Sequence, residues 1–125
     1  MQRLIAFAFL AASGLAAADT PSRIADHYAA GASPRRGGEF YAREFGVSEK
    51  MPACTACHTD DPARPGRHAV TGKGIKPLSP SANPERFTDA AKVEKWFKRN
   101  CKEVVGRECT PGEKADFIAY VTEGR

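Results

Sequence analysis

The chain sets two thiols and an imidazole side by side, in Cys54-Thr55-Ala56-Cys57-His58. This C-x-x-C-H spacing is the pattern of covalent haem attachment. Two thiols three positions apart can each form a thioether with a vinyl group on one porphyrin edge. The residue that follows then falls beneath the iron, where a neutral imidazole is a good proximal ligand. Other uses of paired thiols fit less well. A thioredoxin-like redox pair needs a βαβ setting, and the sequence shows none. A structural zinc site wants a second close pair, whereas Cys101 and Cys109 stand eight apart. A plain Cys54–Cys57 disulfide leaves His58 without a role.

The opposite face of such an iron is the open question. The only methionines are Met1 and Met51, so none follows His58. Met51 lies on the attachment side, three residues before Cys54, and a His/Met centre is not expected. His27, His68, Lys73, Lys76 and Asn100 are the remaining candidates. His27 sits in a polar stretch and reads as a solvated surface residue. His68 occupies a loop, where a solvated or propionate-side role outweighs ligation. Lys73 and Lys76 flank a turn and are expected to be exposed. Asn100 is different. At 100° per residue, Val93, Phe97 and Val104 form one apolar stripe with Asn100 in its middle and Trp96 about 60° away. An amide on an apolar face costs roughly 1–3 kcal/mol unless it finds a partner. An iron would be such a partner; the plainer role is a helix cap.

Cys101 follows at once. On a continuous helix, Cys101 and Cys109 would lie about 12 Å apart, beyond disulfide reach. Pairing requires the chain to turn back between them, and Gly106 is the expected place. In an oxidising compartment, with the other two cysteines committed to haem, that pairing is the default.

The elements that must position these groups read as helices joined by long loops. Thr20-Pro21 starts a first helix, with Thr20 as N-cap and Ile24 and Tyr28 on its buried side. Gly31 to Gly38 reads as a loop, followed by a helix from Glu39 to about Phe45. Six of the nine prolines fall between Met51 and Phe87, which predicts extended wraps and turns. A helix capped by Thr88 runs to about Asn100. Thr110-Pro111-Gly112-Glu113 is a capping box that opens the last helix. No period-2 strand and no internal repeat is expected. The fold class is all-α: a small cytochrome c-like domain with long loops around one covalently bound haem.

Residues 1–18 carry a short positive start, an apolar run from Leu4 to Leu15, and Ala16-Ala17-Ala18. This predicts a cleaved signal peptide, a periplasmic product without membrane insertion, and a single domain over 19–125. The apolar run, about twelve residues, is too short to span a bilayer. Losing Arg3 takes the formal charge from +4 to +3, and two haem propionates would bring it to about +1. The Lys and Arg residues are scattered among acids without aromatic interleaving, which disfavours nucleic-acid binding. A basic patch for an acidic redox partner is not placed by the sequence.

From Pro52 to Tyr120 the chain resembles the SHP-type, oxygen-binding cytochromes c. The resemblance rests on the haem motif, Thr71-Gly72-Lys73, Pro77-Leu78-Ser79-Pro80, Asn83-Pro84-Glu85-Arg86-Phe87-Thr88-Asp89, Val93-Glu94-Lys95-Trp96, Arg99-Asn100-Cys101 and Cys109-Thr110-Pro111-Gly112-Glu113-Lys114. It implies that Asn100 is the distal ligand to ferric iron and that Cys101 and Cys109 form a disulfide. It also implies a high-spin haem whose Asn ligand leaves on reduction, opening the site to O2 and NO. The expected electron donor is a dihaem cytochrome c or a membrane cytochrome b. Redox turnover of O2 or NO is compatible with this, though no acid–base group stands out. The alternative is a simple electron-transfer cytochrome c with an incidental open site.

Overall fold

The computed structural model describes residues 13–14 and 17–123. The export signal expected over 1–18 falls largely outside the described residues. Helix α1 spans Pro21–Tyr28, and its N-cap Thr20 accepts a hydrogen bond from the Arg23 N–H at 3.3 Å. Helix α2 spans Pro34–Ala42. It begins five residues before the expected start, inside the segment read as a loop. Ser33 and Pro34 supply the reason: the Ser33 hydroxyl accepts from the Arg36 N–H, and proline fits the first helical position.

A single turn, α3, spans Thr55–His58 and is followed by a tiny antiparallel hairpin, β1 Gly66–Arg67 with β2 Gly74–Ile75. No strand is expected from the sequence, because two residues are too few to show alternation. Helix α4 covers Ala90–Asn100. Its cap is Asp89, which accepts from the Lys92 N–H at 3.1 Å, and not Thr88, whose hydroxyl donates back to the Glu85 carbonyl. A π-helical turn continues through Cys101–Val105 and stops at Gly106 in the left-handed region, φ 81°. Helix α5, Pro111–Glu123, opens with a reciprocal capping box. The Glu113 N–H donates to the Thr110 hydroxyl, and the Thr110 N–H donates to the Glu113 carboxylate.

The architecture is all-α apart from the hairpin, with α5 packed across α2 and α1. Ile24, Phe40, Tyr41, Ile118 and Val121 form the centre of the core. The α2–α5 crossing is close enough that a Cβ on Gly37 would stand 1.9 Å from the Asp116 carbonyl oxygen. Packing at this crossing outweighs the helix penalty of Gly37 and Gly38. Buried Asp116 ties the same crossing. It accepts from the Ser33 N–H at 2.7 Å and from Arg36 at 2.7 and 2.9 Å, and these bonds hold its carboxyl below the usual carboxylate range. No helix among the described residues is long and apolar enough to cross a membrane.

Candidate functional site

Cys54, Cys57 and His58 are gathered by α3, the one turn that carries the C-x-x-C-H pattern. All three are partly buried, and the two thiols are free. The backbone around them is held from both sides. From α2, the Tyr41 hydroxyl donates to the Thr59 carbonyl at 2.6 Å and to the His58 carbonyl at 3.2 Å. Thr59 has φ 64° and ψ −179°, a region that side-chain-bearing residues rarely occupy. Strain directly after the imidazole is thus maintained by a buried phenol, whose ring packs against Phe117 and Tyr120.

The hairpin holds the other side. Gly66 approaches so closely that a Cβ there would lie 2.2 Å from the Cys57 carbonyl oxygen. The Ala69 N–H donates to Cys57 Sγ at 3.3 Å. Both the Leu78 and Ser79 N–H groups donate to the Pro62 carbonyl, which closes the loop that bears the hairpin.

The electrostatics suit a metal-binding imidazole. Burial, with the charge of Arg86 added, pushes His58 down to about 4, so its ring is neutral at ordinary pH. Neutral imidazole is the form that binds iron. Burial pushes the Cys54 thiol up to about 11, opposite to the shift that activates a redox cysteine. Two thiols and a neutral imidazole on one turn are the donor set that one haem c requires.

The distal candidates separate clearly. His27 is exposed on α1. His68 is built into the hairpin turn, its Nδ1 accepting from the Val70 and Thr71 N–H groups at 3.2 and 3.1 Å. Lys73 and Lys76 are exposed on or beside the hairpin. Asn100 ends α4, and its side chain makes no capping hydrogen bond to the turn that follows. It is exposed and does not sit in the middle of the apolar stripe as projected. The buried positions are Val93, Phe97, Cys101 and Val105, so the stripe drifts away from Asn100. Beyond Asn100 a π-helical turn buries Val105 where a regular helix would have buried Val104. Asn100 instead shares the exposed flank of α4 with Trp96, four residues earlier and 40% exposed.

Arg86 connects that flank to the haem motif. Its guanidinium lies 4.9 Å from the Trp96 ring, while its charge acts on His58. The same group donates to the Pro77 and Lys76 carbonyls at 2.9 and 2.8 Å. Arg86 and Thr59 were not singled out by sequence reasoning, because neither residue type at its spacing signals a role. Beside Asn100, the chain turns back at Gly106, and Cys101 and Cys109 are joined with Cα atoms 5.7 Å apart.

Comparison with known proteins agrees with this arrangement. Residues 27–121 match the family described as a domain of unknown function, DUF1924. The chain is 46% identical over 123 residues to the cytochrome c-type protein SHP of Cereibacter sphaeroides, covering 94% of this chain and 95% of that one. It is 49% identical over 83 residues to cytochrome c'' of Methylophilus methylotrophus, covering 66% of this chain and 58% of that one. Among solved structures, oxidized SHP, an oxygen binding cytochrome c, superposes with a TM-score of 0.78 at 44% identity over 85% of this chain and 98% of that one. Oxidized cytochrome c'' from Methylophilus methylotrophus gives 0.74 at 38% identity over 82% and 93%. A solution structure of that cytochrome, concerned with haem-ligand detachment, gives 0.71 at 39% identity over 84% and 94%. The chain belongs to the SHP-type monohaem cytochromes c, small all-α proteins that carry one covalently bound haem c.

Proposed function

We propose that this is a periplasmic electron-accepting cytochrome that binds O2 or NO at a distal position gated by Asn100. Cys54 and Cys57 carry the thioethers, and His58 is the proximal ligand. Asn100 would be the distal ligand through its amide oxygen, a neutral donor suited to ferric iron and poorly matched to ferrous iron. Bound haem supplies an iron that changes oxidation state and accepts a diatomic ligand. The Cys101–Cys109 bond holds the backbone next to Asn100 and limits how far the amide moves. Residues 1–18 direct export and are removed. The electron donor is a dihaem cytochrome c or a membrane cytochrome b.

The observation that carries this reading is Asn100 itself. No methionine follows His58, and the Asn100 amide stands on the exposed flank of α4 without a capping hydrogen bond to the turn that follows. The oxygen binding ascribed to SHP and the interest in haem-ligand detachment in cytochrome c'' support the same direction. Absorption spectra of oxidised and reduced holoprotein, with and without NO, provide the test. A high-spin ferrous spectrum that shifts on NO addition is expected, and Asn100→Ala should alter the ferric spectrum. Low-spin spectra in both states, unchanged by NO, would reduce the protein to a plain electron carrier.

A further inference from the structure

Read along the sequence, the cations are mixed with acids, but the fold collects an imbalance. Residues 62–84 contain Arg64, Arg67, Lys73 and Lys76 and no Asp or Glu. The chain has 19 Lys and Arg against 15 Asp and Glu, so the other 15 cations balance the 15 acids. The whole formal charge of +4 therefore resides in this one segment.

The segment is the hairpin and its flanks, and it lies directly on the haem motif. Gly66 packs on the Cys57 carbonyl, and the Ala69 N–H reaches Cys57 Sγ at 3.3 Å. All four cations are exposed, and none enters an ion pair among the described residues. Four arginines elsewhere pair with acids: Arg35 with Glu39, Arg36 with Asp116, Arg99 with Glu103, and Arg107 with Glu113. Asp60 and Asp61 precede the segment, and their charge acts on Tyr41 of α2 and Tyr120 of α5. Between the cations, Val70 stands 52% exposed at the turn. An exposed apolar residue within a segment of unpaired charges of one sign has the makeup of a transient electrostatic interface.

We infer that the hairpin segment bearing Arg64, Arg67, Lys73 and Lys76 is the docking surface for an acidic electron-transfer protein. The inference rests on the electron-accepting part of the proposed function and names the chemistry of its donor. In the docked pair, one electron leaves the donor's reduced centre, which is oxidised by one equivalent, and reduces ferric iron to ferrous. No proton or group moves with it. The Ala69 N–H bond to Cys57 Sγ joins this segment to a residue that would carry a thioether.

The test uses holoprotein and an immobilised acidic plant-type ferredoxin as the probe. Binding is read by surface plasmon resonance, and reduction by the dithionite-reduced ferredoxin by stopped flow. The triple variant R64E/K73E/K76E reverses three hairpin charges and leaves Arg67, which bonds the Gly72 carbonyl and shapes the turn. The control R23E/K92E/K95E reverses three exposed charges on α1 and α4, with the same change in net charge. At low salt the hairpin variant should lose about 10- to 100-fold in association rate, and the control less than about threefold. High salt should erase the difference. Equal losses in both variants would overturn the proposal, leaving only a net-charge effect. So would hairpin-dependent binding to phosphatidylglycerol vesicles without binding to the ferredoxin. The ferrous NO spectrum of the same samples checks the gated site separately, because docking does not require NO to bind.

Discussion

Tyr41 and Thr59 make a mechanical claim that stability measurements can decide. The Tyr41 hydroxyl donates at 2.6 Å to the Thr59 carbonyl, a short bond of ordinary strength, and more weakly at 3.2 Å to the His58 carbonyl. Tyr41→Phe keeps the ring and removes this donor. A partly buried carbonyl then loses its partner, which costs about 2 kcal/mol. For a domain of this size the melting temperature should fall by about 10 °C. Thr59→Gly works in the other direction, since glycine accepts φ 64° freely and removes roughly 1–3 kcal/mol of backbone strain. It also gives up the hydroxyl bonds to Asp61, so its net effect should stay within about 1 kcal/mol of zero. In Tyr41→Phe/Thr59→Gly the phenol no longer restrains a strained residue, and the combined loss should be smaller than the sum of the singles by about 1 kcal/mol. Guanidinium unfolding of holoprotein, followed by circular dichroism, gives the four values. Strict additivity, or a Tyr41→Phe loss under about 0.5 kcal/mol, would refute the clamp.

Two further outcomes follow from charge and from covalent closure. Arg36 holds the Asp116 carboxyl below its ordinary range, so this stabilisation is complete above the unfolded carboxylate value. It is lost as pH falls through the lower folded value. Asp116→Asn should therefore cost about 2 kcal/mol at neutral pH and flatten the acid limb of a pH–stability profile measured by denaturant unfolding. Replacing Cys101 and Cys109 by serine should cost about 2–3 kcal/mol in the chain-entropy model. It should also broaden or shift the ferric absorption bands, because Asn100 adjoins Cys101. Unchanged bands would separate the disulfide from the distal site.

Much of this arrangement can be read before the fold is known, and the exceptions have physical causes. The five residues from Cys54 to His58 fix their own chemistry by spacing. The Thr-Pro starts of α1 and α5 carry their caps within four residues, and both helices begin where those signals stand. Helix α2 is obscured because Gly37 and Gly38 resemble loop residues, whereas their lack of side chains serves the crossing with α5. The cap of α4 shifts by one residue because the Thr88 hydroxyl prefers the Glu85 carbonyl. The end of the apolar stripe, Val105 in place of Val104, is misjudged because a regular 100° step cannot anticipate a π-helical turn. Tyr41 is recognisable as a core aromatic, but nothing in its neighbours announces where its hydroxyl will point. The charge of residues 62–84 is visible in the sequence, yet its meaning depends on the hairpin folding onto Cys57.

The α2–α5 crossing also bears on how the molecule assembles. Its two helices are separated by 68 residues, from Ala42 to Pro111, and α3 lies inside that span. Bringing the two ends together costs about 4 kcal/mol of loop-closure entropy before any contact between them is formed. Contacts so distant along the chain belong to slowly folding topologies. Until that closure, Tyr41 and the hairpin have no fixed frame against which to bury α3, and both thiols stay accessible. Thioether formation before that closure would meet both thiols before the fold half-buries them.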